Sequence, residues 1–130
     1  MATASEKSRG RSEAGLARAR VASNHLRQAD EDLRAHPGIA RTLRTNATDL
    51  RSGYQAALAT NPNLKFGQFV SATRVSQNLR SRHSAITRTA ILNGLASGKS
   101  LGQTLQDLKL SEREANEAKK RADREIKRNM

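Results

Sequence analysis

Apolar residues recur along this chain at intervals of three and four, the spacing that gathers them on one face of an α-helix, and alternation never runs far enough to suggest a strand. Ala19, Ala22, Leu26, Ala29 and Leu33 form a narrow first stripe and predict a helix from about Ser12. His36-Pro37-Gly38 stops it, because proline lacks an amide and pushes the preceding residue out of helical angles. A second helix carries Ile39, Leu43, Ala47, Leu50, Tyr54, Ala57 and Leu58 and stops at Asn61-Pro62. Leu64, Phe66, Phe69, Val70 and Leu79 predict a third helix to about Ser81. Ile86, Ala90, Ile91, Leu92 and Leu95 predict a fourth, ending near Gly98. Ser100-x-x-Gln103 and Ser111-x-x-Glu114 are capping boxes, in which the serine and the third residue satisfy each other's orphan amides. They predict a short helix over 100–107, a tight turn through Lys109 and a terminal helix from Ser111 to about Lys127.

The expected fold is therefore all-α, a small bundle of about five or six helices with a C-terminal helix-turn-helix-like pair. Residues 1–12 hold Lys7, Arg9 and Arg11 among small polar residues with no periodic apolar positions, which predicts a disordered basic arm. Residues 13–130 then form a single helical domain, with the helix-turn-helix within 100–128. The only aromatic residues are Tyr54, Phe66 and Phe69, and much of the apolar content is alanine, so the core is thin. A homodimer through the first helix is the expected way to bury more. There is no cysteine, and no apolar run approaches a membrane span or a signal sequence, so a cytoplasmic protein with no membrane partner is expected.

Charge changes this picture most. Lysine and arginine total 24 against 12 acidic residues, a net charge of +12, far beyond what solubility alone requires. A polyanion is the natural partner, since neutralising phosphates releases counterions. The surplus is unevenly spread. Between Asp49 and Asp107 there is no acidic residue, yet Arg51, Lys65, Arg74, Arg80, Arg82, Arg88 and Lys99 all fall there. From Leu101 onward eight basic residues face six acidic ones, a net of only +2. The middle also supplies Gln77, Asn78 and His83 with several serines and threonines, which bond phosphates and base edges without repelling them. Lys65, Arg74, Gln77, Asn78, Arg80, Arg82, His83, Arg88 and Lys99 are accordingly candidate nucleic-acid contacts.

Catalytic patterns are incomplete. Gly94-Leu-Ala-Ser-Gly98-Lys99-Ser100 resembles a phosphate-binding loop but has three residues between its glycines where that loop needs four, and it follows a helical pattern where that loop follows a strand. A helix end at Gly98 and a helix start at Ser100 explain the same letters. His25, His36 and His83 lack metal-ligand spacing, and Asp30-Glu31-Asp32 point in three directions on a helix. Tyr54 lies on the apolar stripe and is expected in the core. No enzyme, cofactor or metal site is expected.

Residues 101–128, LGQTLQDLKLSEREANEAKKRADREIKR, resemble a generic helix-turn-helix of the kind found in region 4 of bacterial sigma factors, where leucine-serine opens a recognition helix followed by a basic tail. The chain departs from that pattern at Leu105, where a small residue is usual, and at Lys109, where glycine is. The resemblance implies that Arg113, Asn116 and Lys120, with Glu117, face DNA on the side opposite Ala115 and Ala118, arginine suiting guanine and asparagine adenine. The plain alternative is a solvated helix laced with i,i+4 ion pairs. DNA ranks ahead of RNA, because single-strand recognition leans on exposed aromatic rings that this chain lacks. The expected role is that of a small DNA-binding regulator or accessory factor of a bacterial, phage or mobile-element system. The rival is a basic module or inhibitor that docks on an acidic protein.

Overall fold

The computed structural model describes the backbone of residues 2–128 and the side chains of residues 15–128. Among these residues lie seven helices and no strand: α1 (Ala2–Ala35), α2 (Gly38–Thr42), α3 (Ala47–Thr60), α4 (Phe66–Leu79), α5 (Arg88–Ala96), α6 (Leu101–Asp107) and α7 (Glu112–Arg128). The fold is all-α, as the periodicity predicts. α1 begins at Ala2, ahead of the helix start expected near Ser12, and the side chains of the basic arm expected at residues 1–12 lie outside those described. No helix among the described residues is long and apolar enough to cross a membrane.

The second predicted helix is in fact two. α2 closes where the Thr45 amide donates to the Ala40 carbonyl and the Arg44 amide to the Arg41 carbonyl, both at 3.0 Å, with Arg44 left-handed at φ 56°. Asn46 then opens α3, its side chain accepting from the Asp49 amide at 2.8 Å. Apolar spacing continues through the break because both helices bury the same stripe: Ile39, Leu43, Leu50, Tyr54 and Leu58 are all in the core. This division is why seven helices stand where about five or six were expected.

The same closing pattern ends α5 and α6. The Lys99 amide reaches the Gly94 carbonyl (3.2 Å) and Gly98 reaches Leu95 (3.0 Å); Leu110 reaches Leu105 (3.1 Å) and Lys109 reaches Gln106 (3.0 Å). Gly98 takes the left-handed position at φ 89° in the first and Lys109 at φ 83° in the second. The segment that spells a near-phosphate loop is thus a helix end and a helix start. Ser100 caps α6 by accepting from the Gln103 amide at 3.1 Å, while the Gln103 side chain accepts from the Ser100 amide at 3.2 Å. Gly94 has a different use. A Cβ there would overlap the Thr104 side chain, so glycine lets α5 and α6 approach.

α4 is the central element. It buries Phe66, Phe69, Val70, Ala72, Thr73 and Val75 and packs against α1, α5 and α7. Tyr54 from α3 sets its ring 5.2 Å from Phe66 and 5.5 Å from Phe69, and its hydroxyl donates to the Leu64 carbonyl. Burial, with a smaller contribution from the Asp32 charge, pushes this phenol up to about 12. Tyr54 is a core residue. α7 lays Ala115, Ala118, Ala122 and Ile126 against the body, packing on α2, α4 and α6.

Candidate nucleic-acid interface

Carboxylates hold five of the described lysines and arginines. Arg51 holds Asp30 at 2.6 Å, Arg74 and Arg121 hold Glu125 at 2.5 and 3.5 Å, Lys99 holds Asp107 at 2.5 Å and Arg113 holds Glu117 at 3.2 Å. Arg80, Arg82 and Arg88 have no carboxylate partner among the described residues, and all three are exposed. Arg80 and Arg82 lie in the segment joining α4 to α5 and Arg88 directly follows it, inside the stretch of sequence that contains no acid.

Around this segment the surface is concave. A cleft of about 360 Å³ is lined by Thr73, Ser76, Gln77 and Arg80 from α4 and its end, Ser84, Ile86 and Thr87 from the connection, and Arg88 and Thr89 from the first turn of α5. Every lining residue except Ile86 is polar or basic, and none is acidic. Thr87 caps α5 by accepting from the Ala90 amide at 3.1 Å. The Arg88 guanidinium sits 5.0 Å above the Phe69 ring, a cation–π contact that holds it against the body. Gly53 on α3 leaves room for this stack, since a Cβ there would stand 3.2 Å from Phe69 Cζ and 3.7 Å from Arg88 Nη2.

Three of the expected contacts are instead drawn inward. Arg74, whose side chain is only 15% exposed, donates to Glu125 and to the Thr42 carbonyl (3.1 Å), and Gln77 donates to the Leu43 carbonyl at 2.8 Å. Asn78 donates to Glu125 Oε1 at 2.7 Å. Together they tie α4 to α2 and α7, so Arg74 and Asn78 are braces; Gln77 also borders the cleft. Burial pushes the Glu125 carboxyl up, but hydrogen bonds from Arg74 and Asn78 and the charges of Arg74 and Arg121 outweigh it and hold it below the ordinary 4.5. Lys99 is occupied by Asp107. Lys65 is exposed at the opposite end of α4 from Arg80, about 22 Å away at the 1.5 Å rise of a helix, and does not join the cleft.

α7 presents Arg113, Asn116 and Lys120 on its outer side, all exposed, with Ala115, Ala118 and Ala122 buried beneath. Arg113 is 89% exposed and its ion pair with Glu117 stays within that face. His83 joins the two regions. Its Nε2 stands 3.9 Å from Glu114 Oε2, bringing the α4–α5 connection beside the first turn of α7. The Ser111 amide, then the Ser111 hydroxyl, and the nearby His83 hold the Glu114 carboxyl below its ordinary value.

Phe69 and Gly53 are the contributors that sequence reasoning missed. Phe69 reads as plain core, and only the lone glycine inside a helical stripe signals a close approach. Among the described residues no three histidine or carboxylate side chains gather in a way that could hold a metal ion. Compared with known protein families, curated sequences and solved structures, the chain matches none.

Proposed function

We propose that the protein binds nucleic acid, with duplex DNA the preferred form, through a surface centred on Arg80, Arg82 and Arg88 and continued by Arg113, Asn116 and Lys120 of α7. The observation that carries this reading is the acid-free polar cleft whose arginines have no carboxylate partner among the described residues. Within the same acid-free stretch of sequence, by contrast, carboxylates from outside it hold Arg51, Arg74 and Lys99. Unpaired guanidiniums beside free hydroxyls suit phosphate oxygens, which accept from both. α7 adds side chains able to read base edges, while Glu117 limits how freely Arg113 can do so.

Binding to a panel of duplex sequences separates the two regions. Arg80→Gln, Arg82→Gln and Arg88→Gln together weaken binding to every sequence alike, whereas Arg113→Ala with Asn116→Ala flattens the differences between sequences. Unchanged affinity in the triple variant would remove the cleft from the interface. Tight binding to an acidic polypeptide with none to DNA would replace the reading by one in which the basic face docks on protein.

A further inference from the structure

A cleft and a basic ridge serve different parts of a nucleic acid. A ridge follows a continuous backbone, in which each phosphate is a diester with one charge. The cleft between α4 and α5 is concave, and its volume of about 360 Å³ sits at the small end of the range for small-molecule sites. Its two guanidiniums match a dianion, the charge that a phosphomonoester approaches at neutral pH. Arg88 is already held against the body by Phe69, and a guanidinium restrained in this way suits the paired, fork-like bonding arginine makes to phosphate.

The remaining donors fit the same chemistry. Ser84 and Thr89 line the cleft with hydroxyls that make no hydrogen bond among the described residues. The Thr87 oxygen accepts from Ala90, leaving its proton to give. We infer that this cleft seats the terminal phosphomonoester of a nucleic-acid strand, an inference that rests on the nucleic-acid reading above. The seat recognises a strand end, and the exposed groups around it hold the adjoining backbone.

The test compares single strands of one sequence carrying a 5′-phosphate, a 3′-phosphate or hydroxyls at both ends, with inorganic phosphate as competitor. At least one phosphorylated strand binds about tenfold or more tightly than the hydroxyl strand, and inorganic phosphate removes that advantage without abolishing binding. Arg80→Gln and Arg88→Gln each bring the ratio toward unity; both side chains are exposed, and unchanged thermal melting confirms that the variants fold. Equal affinity for all three strands, with salt-dependent binding retained, overturns the seat and leaves the nucleic-acid reading standing. Amide resonance shifts at Thr87, Arg88 and Thr89 on adding phosphate, with neither these strands nor their duplexes bound at low salt, overturn both.

Discussion

Arg74 and Arg88 carry the same charge on neighbouring helices and are used in opposite ways. Arg74 is tied to Glu125, which lies 51 residues further along the chain, whereas Arg88 rests on Phe69 and faces outward. No local pattern tells them apart, because the difference depends on where α7 docks. Glu125→Gln leaves a half-buried guanidinium without its anion and should cost about 1–3 kcal/mol in denaturant unfolding near neutral pH. The pH dependence follows from the lowered carboxyl. Its contribution is complete above the unfolded value near 4.5 and is lost as pH falls through the folded value, so the parent protein loses more stability on acidification than the glutamine variant. Lys109 provides a second test. A side chain at φ 83° is strained, and Lys109→Gly should raise stability by about 0.5–1 kcal/mol, read as a higher melting temperature.

At the scale of elements, what could be read from the sequence and what could not have distinct physical causes. Helices with explicit signals were legible: Ser100 and Gln103 do cap α6, Ser111 and Glu114 exchange bonds at the start of α7, and Pro37 and Pro62 fall at breaks. The break between α2 and α3 was hidden because Arg44 occupies the left-handed position where glycine would announce it. The acid-free stretch was visible as composition, and it does contain the cleft. Its division into braces and outward-facing groups was not, since helical phase relative to α7 is a tertiary property. Packing between elements gives a sharp prediction at Gly94. Gly94→Ala places a Cβ against Thr104 and should destabilise the protein by about 1–3 kcal/mol despite alanine's better helix propensity. Adding Thr104→Ala removes the branched atoms but leaves the Thr104 Cβ position 2.9 Å away, so rescue is partial, as a double-mutant cycle in denaturant would show.

For the molecule as a whole, charge is the feature that fold alone does not require. An all-α bundle with a net charge of +12 repels itself, and seven of those charges fall between Asp49 and Asp107, where the sequence has no acid. The C-terminal helix α7 has seven basic groups beside five acids, and two of the seven, Arg113 and Arg121, pair with its own Glu117 and Glu125. On the proposed reading the electrostatic footprint lies on Arg80, Arg82 and Arg88, in the stretch of sequence without acids, and α7 takes the lesser share. The most direct test is titration of random-sequence duplex DNA with the parent protein across a salt series, followed by anisotropy. The logarithm of the binding constant should fall linearly with the logarithm of salt, by about 0.9 per phosphate contacted. Replacing the three arginines with glutamine should make that slope shallower by about 2–3. Binding that ignores salt, or a slope that the triple replacement leaves unchanged, would contradict the account.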